Sequence, residues 1–177
     1  MDHLWAGWRR AYIDDATSGG LERAQAGRAG SLFEDVLSRP DEESYVVHRG
    51  ARCSAVLNLY PYVAGHLLVL PNRAVPELER LEPDEAAELW ALVTDAVVAV
   101  KAAYSPDGVN VGANLGAAAG AGVPDHLHLH VLPRWSADSN FMVSVAEARV
   151  LPEPLGQTWE RLRAAWPASG TAGTVAP

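Results

Sequence analysis

The stretch DHLHLHVLPRW, residues 125–135, carries three of the six histidines of the chain, and its alternation decides how this segment folds. Alternating apolar and polar residues are typical of a β-strand, in which side chains two positions apart project from the same face. The leucines and the valine between His126, His128 and His130 would then enter a core on the opposite face. The pattern therefore predicts a strand that presents three imidazoles together.

Three imidazoles on one face are compatible with more than one kind of site. The outer two Cβ atoms of such a strand lie roughly 13 Å apart, whereas two imidazoles bonded to one zinc ion span only about 12 Å at full stretch. A three-histidine zinc site is therefore disfavoured, although a two-histidine site completed from elsewhere in the chain stays open. Three half-exposed surface histidines without a function are a further alternative.

The third alternative is nucleophilic chemistry at phosphorus. A neutral imidazole is a good nucleophile near neutral pH, provided that its other nitrogen is held as a donor. His128 has a histidine on either side that can bind phosphate oxygens or pass a proton. The loop NLGAAAGAGVPD, residues 114–125, precedes the triplet directly, and its glycines leave backbone NH groups open to an oligophosphate. The combination favours phosphorus chemistry.

The rest of the chain predicts an α+β fold. Alternating or apolar runs bounded by turn residues indicate strands, and apolar residues at helical spacing indicate a long helix that begins at Pro83 and ends near Tyr104. The predicted strands lie in YVVHRGARCSAVLNLYP (45–61, two strands with a turn at Arg49 and Gly50), GHLLVLP (65–71), GVNVGANLG (108–116) and HLHLHVLP (126–133), and a second helix in GQTWERLRAAW (156–166). This order predicts an antiparallel meander sheet with one long helix and a C-terminal helix.

Length and charge limit the function. The 177 residues, 49% of them hydrophobic, suffice for one domain with a core. A formal net charge of −8 is the wrong sign for a protein that neutralises nucleic-acid phosphates. Cys53 is the single cysteine, and the start MDHLWAGWRR lacks the apolar run of a signal peptide. We expect a cytoplasmic protein that acts on neither nucleic acid nor membranes.

Three segments are expected along the chain. Residues 1–44 are predicted to form an N-terminal arm with a flexible connector, because the segment from Gly19 to Gly30 is small, polar and punctuated by glycine. Residues 45–166 would form the folded domain. Residues 167–177 would be a disordered tail.

The sequence resembles the histidine triad (HIT) superfamily of nucleotide hydrolases and transferases. HLHLHVLP matches the HxHxHxx signature of that family, and Asn58 lies eight residues before the His66 of a Gly-His pair, which is the other hallmark. The similarity in order and spacing covers roughly residues 45–150 and implies a HIT-like fold. LWAGWRRAYI near the N-terminus and PRWSADSNFM after the triplet are similar to the branch with actinobacterial diadenosine tetraphosphate phosphorylases and hydrolases.

The resemblance implies a set of catalytic residues. His128 would be the nucleophile that attacks the α-phosphorus and forms a nucleotidyl-histidine intermediate. His126 and His130 would orient it and bind the phosphate, and His66 would complete the cluster. The activity implied is cleavage of a nucleoside 5′-oligophosphate such as diadenosine tetraphosphate, with water or phosphate as the acceptor.

The resemblance also implies binding residues and partners. Asn58 would bind the ribose hydroxyls and Asn114 would face the phosphates, while the remaining candidates for substrate contact are Gly120, Gly122, Val123 and Trp135. A homodimer through the long helix and an adjoining strand is expected. No resident metal or cofactor is predicted, and any Mg²⁺ is expected to accompany the oligophosphate. A nucleotide-binding or biosynthetic-pathway module with slow or no turnover, and a nucleoside phosphoramidase, are the alternative functions.

The sequence departs from the family pattern at positions that affect zinc binding and the choice of water or phosphate as the acceptor. Many relatives in this branch carry a cysteine pair near the start of the domain, often bound to zinc, where this chain has SLFE, Ser31 to Glu34, so a zinc knuckle is not expected. Before the Gly-His pair, the Asn-Pro of relatives is replaced by Val63 and Ala64. Relatives also place a Gln, Ser or Thr where this chain has Gly122, which predicts a weak site for an attacking phosphate ion.

Overall fold

The computed structural model describes residues 30–136, 138 and 153–168. Its helices are α1 (Leu32–Leu37), α2 (Asp41–Ser44), α3 (Pro83–Tyr104) and α4 (Leu155–Ala165). Its strands are β1 (Val46–Arg49), β2 (Cys53–Leu57), β3 (Leu67–Pro71), β4 (Gly108–Ala113) and β5 (Leu129–Arg134). The part of the predicted N-terminal arm and connector up to residue 29, and the predicted tail beyond residue 168, lie outside the described residues. The domain boundaries at 45 and 166 stay predictions.

All strand pairs in the sheet are antiparallel, in the order β1-β2-β3-β5-β4. β5 lies between β3 and β4 because the chain passes through α3 to the edge strand β4 and then returns into the sheet. His130 therefore pairs with Leu68 on one side and with Gly112 on the other. The predicted α+β class, with its antiparallel sheet, long helix and C-terminal helix, is confirmed.

The long helix α3 covers one face of the sheet. Pro83 occupies its first turn, where no backbone N–H is needed, and Glu82 and Glu85 form a reciprocal capping box at its start. Leu89, Val93, Ala96 and Val100 are among the residues that it buries against the sheet, as the helical spacing predicted. α4 packs beside it through Leu162. Among the residues that the structure describes, no helix is both long and apolar enough to cross a membrane.

The opposite face of the sheet carries a second, smaller apolar cluster. Phe33 of α1 packs there with residues of β1 to β3 and the loop before β5: Val46, Val56, Leu68, Leu70 and Val123. Residues 31–44, which fall within the predicted arm, form α1 and α2 and fold against the rest of the chain. The histidines lie on this face, so α1 is the element that covers them.

Candidate active site

The three histidines of the triplet straddle the start of β5. His126 and His128 precede the strand, which begins at Leu129, and only His130 lies within it. The expected alternation nevertheless holds, because Leu127, Leu129 and Val131 enter the main core while the histidines project towards the α1 face. His126 and His128 are buried, and His130 is partly buried.

His128 is held with a free nitrogen. Its Nδ1 lies 2.8 Å from the carbonyl oxygen of His126. A carbonyl only accepts, so Nδ1 carries the proton and the neutral ring has its lone pair on Nε2. The described residues give Nε2 no hydrogen-bond partner, and burial lowers the pKa of His128, which favours the neutral ring. Phe33, with its ring centroid 5.2 Å away, limits the movement of the imidazole.

His126 is fully enclosed, and both of its ring nitrogens are used by the protein. Nε2–H donates to the carbonyl of Pro71 at 2.8 Å, and Nδ1 accepts from the hydroxyl of Ser31 at 2.6 Å. Burial lowers the pKa of His126, so this ring is also neutral. The ring therefore has no free nitrogen for the phosphate contact that the resemblance implies. The backbone carbonyl of His126, which accepts from Nδ1 of His128, is its contact with the next histidine of the triplet.

His66 and His130 form a hydrogen-bonded pair with a defined direction. The backbone N–H of Tyr62 donates to Nδ1 of His66 at 3.2 Å, so His66 carries its proton on Nε2. That proton is donated to Nδ1 of His130 at 2.9 Å, which leaves the His130 proton on Nε2. Burial, and secondarily the neighbouring His128, lower the pKa of His130 to about 4.

Nε2 of His130 is the group that this pair leaves open. It is buried and has no hydrogen-bond partner in the described part of the chain. A buried donor without a partner is costly, and its cost is relieved when a ligand oxygen arrives. The ring centroid lies 5.2 Å from that of His128, so this donor and the open Nε2 of His128 belong to neighbouring rings.

The backbone conformation and the packing at position 65 explain why a glycine precedes His66. Its backbone φ is +83°, and a Cβ built there would lie 2.8 Å from Cε2 of Tyr104 and 3.3 Å from Pro133. Only glycine tolerates both the conformation and the close approach. The Gly-His pair is therefore a consequence of packing against α3 and β5, and it brings His66 to His130.

Two of the predicted binding residues make contacts inside the protein. The side-chain oxygen of Asn58 accepts from the N–H of Tyr60 at 3.0 Å, and its amide nitrogen lies 3.3 Å from Nδ1 of His66. Asn114 donates to the carbonyl of Gly120 at 3.4 Å, which braces the glycine loop. Asn58 thus lies beside the histidine cluster, and its ribose contact stays a prediction.

Trp135 lies apart from the histidine rings. Its ring packs edge-on against Tyr104 of α3, with centroids 6.4 Å apart. A stacking contact between Trp135 and a ligand stays a prediction, and in the described structure the side chain is partly buried beside Tyr104.

The glycine loop offers fewer free amides than its sequence suggests. The N–H of Gly120 donates to Ala117 at 2.9 Å and that of Ala121 to Gly116 at 3.3 Å, so both are used within the loop. The N–H groups of Gly122 and Val123 have no acceptor among the described residues. The side chain of Val123 packs in the apolar cluster under the site. Of the loop amides predicted to bind phosphate, those of Gly122 and Val123 therefore remain open in the described structure.

Sequence reasoning missed the contributions of α1. Ser31 and Glu34 have the spacing of a capping box, a signal that could have located the start of a helix. Nothing in that spacing reports that Ser31 reaches His126, which lies 95 positions further along the chain. Phe33, which contacts the rings of both His126 and His128, was missed for the same reason.

Known proteins match both the sequence and the fold. A family model described as the HIT domain matches residues 39–137. An AP-4-A phosphorylase of Mycobacterium tuberculosis is 41% identical over 166 residues, 94% of this chain and 85% of that protein. A bis(5′-nucleosyl)-tetraphosphatase (asymmetrical) of Schizosaccharomyces pombe is 39% identical over 95 residues, 54% of this chain and 52% of that protein. The resemblance predicted from the sequence is confirmed.

A solved structure of a zinc-bound histidine triad family protein from Mycobacterium smegmatis has a TM-score of 0.62 and 25% identity, covering 76% of this chain and 91% of that one. In this chain the donor set around His126 does not fit zinc. Ser31 offers a hydroxyl instead of a thiolate, and both nitrogens of His126 are already bonded. The carboxylate of Glu34 accepts from the backbone N–H groups of Ser31 and Ala74.

Proposed function

The chain belongs to the HIT domain family, and from that premise we propose that it cleaves a nucleoside 5′-oligophosphate at the α-phosphorus through a nucleotidyl-His128 intermediate. The AP-4-A phosphorylase and the tetraphosphatase named above support diadenosine tetraphosphate as the substrate class. Asn58 would hold the ribose, and Asn114, Gly122 and Val123 would lie along the phosphates.

This proposal rests on two neighbouring ring nitrogens, one of which can attack as a nucleophile while the other can donate a hydrogen bond. Among the described residues, Nε2 of His128 has a lone pair without a partner, and Nε2–H of His130 is a buried donor without a partner. Their rings are 5.2 Å apart, centroid to centroid. A nucleophile beside a donor for a phosphoryl oxygen is the arrangement that substitution at phosphorus requires.

The reaction follows from these assignments. The lone pair on Nε2 of His128 attacks the α-phosphorus, a P–N bond forms, and the bond from phosphorus to the bridging oxygen breaks. The leaving oligophosphate takes the bonding electron pair. The ring becomes cationic, and its Nδ1–H donates to the carbonyl of His126, which stabilises that charge. His130 donates to a phosphoryl oxygen, and the donor is neutral near pH 7 because its pKa is about 4.

The second step restores the enzyme. Water or a phosphate ion attacks phosphorus, the P–N bond breaks, and its electron pair returns to Nε2 of His128. With water the product is a nucleoside monophosphate and the displaced proton passes to solvent. With phosphate the product is a nucleoside diphosphate. Gly122, which has no side chain to hold a phosphate ion, favours water or a high phosphate requirement.

We further propose a cytoplasmic homodimer. β4 is an edge strand of the sheet, and its face and that of α3 expose Val111, Trp90 and Val98. An exposed edge strand beside apolar side chains is a surface suited to pairing with a second copy.

The test traps the intermediate. The parent protein is mixed with diadenosine tetraphosphate, quenched in alkali, in which a phosphorus–imidazole bond survives, and weighed intact by mass spectrometry. One nucleotidyl adduct should appear on the parent and none on His128→Ala. Product analysis with and without phosphate identifies the acceptor. Full turnover by His128→Ala would refute the nucleophile assignment.

A further inference from the structure

We propose that Ser31 is a positioning residue for this site, acting through His126 on the nucleophile. The inference rests on the proposed function and extends it to α1. The family model begins at residue 39, so α1 lies outside the matched part of the chain. Its N-terminus nevertheless makes the shortest hydrogen bond to any ring of the histidine cluster, at 2.6 Å.

The contact has one direction only. His126 Nε2 carries a proton because it donates to the carbonyl of Pro71, so its Nδ1 accepts and the Ser31 hydroxyl donates. The same hydroxyl oxygen accepts from the N–H of Glu34 at 3.2 Å, which satisfies the start of α1. Ser31 is 4% exposed and His126 is fully buried, so water does not compete for this bond.

The bond belongs to a ring of contacts around the loop that holds His128. Glu34 accepts from the N–H of Ala74 at 3.0 Å, which ties α1 to the segment after β3. The end of β3 and that segment hold the histidine loop: the carbonyl of Pro71 accepts from His126, and the carbonyl of Val75 accepts from the N–H of Leu127 at 2.6 Å. The loop is thus fixed from two sides, and Ser31 supplies the only donor in the described structure to the His126 ring.

Loss of the hydrogen bond from the Ser31 hydroxyl would change the position of His128 through His126. Without it, Nδ1 of His126 is a buried acceptor with no partner, and the ring is free to rotate or to take its other proton arrangement. Either change would move the backbone carbonyl of His126, which is the partner of His128 Nδ1 in the described part of the chain. His128 would remain present and neutral, but its lone pair would be aimed less well, so turnover falls while substrate binding survives.

Four variants separate positioning from helix capping. Ser31→Ala removes the hydroxyl, and Ser31→Gly removes it with a residue that is well tolerated at a helix start. Ser31→Thr keeps a hydroxyl. Ser38→Ala is the matched control, because the Ser38 hydroxyl donates to Asp35 at the other end of α1, on the surface.

The assay measures kcat and KM with diadenosine tetraphosphate and records the imidazole ¹⁵N signals of His126 and His128. For Ser31→Ala and Ser31→Gly we expect kcat to fall about tenfold with KM within about twofold of the parent. The parent should show His126 protonated on Nε2 only, and Ser31→Gly a mixture. Ser31→Thr should recover most of kcat, and Ser38→Ala should match the parent.

The outcomes divide cleanly. If Ser31→Gly keeps the kcat of the parent and its His126 signals do not change, the proposal is overturned and Ser31 is only a helix cap. An equal loss of kcat in Ser38→Ala would overturn it as well. If the parent turns over no nucleotide, the proposed function fails. The His126 and His128 signals of the parent and of Ser31→Gly then decide the positioning role on their own.

Discussion

Removal of the His66 imidazole should release the proton of His130 from Nε2. His66 Nε2–H donates to Nδ1 of His130 at 2.9 Å, and this bond keeps the His130 proton on Nε2, the atom proposed to donate to the substrate. In His66→Ala, Nδ1 of His130 is either a buried acceptor without a partner or takes the proton itself. The second arrangement turns a lone pair towards the phosphoryl oxygens.

The size of the effect follows from the cost of an unsatisfied buried group. That cost is about 1–3 kcal/mol, or roughly fivefold to over a hundredfold in kcat/KM. Water can enter the space that His66 leaves, so we expect a loss of about tenfold, near the lower end of that range. His66→Gln keeps an amide N–H that can reach His130 and should recover part of the loss.

The assay is steady-state cleavage of diadenosine tetraphosphate at pH 7. His48→Ala is the matched control, because His48 stacks on Trp166 with centroids 5.1 Å apart and contacts none of the site residues in the described structure. If His66→Ala keeps kcat/KM within about twofold of the parent, the directed His66–His130 pair is not part of catalysis. An equal loss in His48→Ala would refute the reasoning as well.

Three further predictions follow from the same geometry. Burial lowers the pKa of His130 to about 4 from the ordinary value of 6.5, so the unfolded chain binds the proton first as the pH falls. The stability that the neutral ring contributes is therefore present above pH 6.5 and is lost as the pH falls towards 4. The midpoint of urea unfolding should fall more steeply over this range in the parent than in His130→Gln, and an equal or shallower fall contradicts the prediction. Gly65→Ala should destabilise the protein by about 2 kcal/mol or more, because φ is +83° and the new Cβ meets Tyr104; Gly156→Ala, where a Cβ meets nothing, is the control in urea unfolding. Gly122→Ser should lower the phosphate concentration that gives half the maximal rate by about tenfold to a hundredfold, because a side-chain hydrogen bond to a charged oxygen is worth about 1.5–3 kcal/mol. The backbone tolerates a side chain there, since φ at Gly122 is not positive. A parent that already saturates at low phosphate would show that backbone groups suffice.

Local patterns predicted those parts of the fold that depend on near neighbours. The alternation in residues 126–131 predicted which side chains enter the core, and helical spacing predicted α3 from Pro83 to Tyr104. The sequence did not place the start of the strand, because His126 bonds to Val123 across a turn and the ladder begins only at Leu129. The position of β5 between β3 and β4 is likewise a property of the whole sheet.

The directions of the hydrogen bonds could not be predicted from the triplet. His126 and His130 take their proton arrangements from partners distant in sequence, Pro71 and His66 respectively. His128 takes its own from the carbonyl of His126, two residues away. The motif identifies which residue types meet, but the carbonyl or imidazole on the far side decides which nitrogen keeps a lone pair. The contact between Ser31 and His126 could not be predicted either, because it is a tertiary contact that no local sequence pattern indicates.

The neutrality of the histidines reconciles an anionic substrate with an acidic protein. The chain carries a formal net charge of −8, so an anionic nucleophile at the site would meet repulsion both from the substrate phosphates and from the protein. Burial lowers the pKa of His126, His128 and His130, which keeps the three rings uncharged near pH 7. In the proposed mechanism, a neutral nucleophile would approach the phosphorus without that repulsion. It would become cationic only when the P–N bond forms, and the carbonyl of His126 and the phosphoryl oxygens would then stabilise it. In that mechanism the lowered pKa values would assist attack on an anion, and they would link the pH range of catalysis to stability in acid.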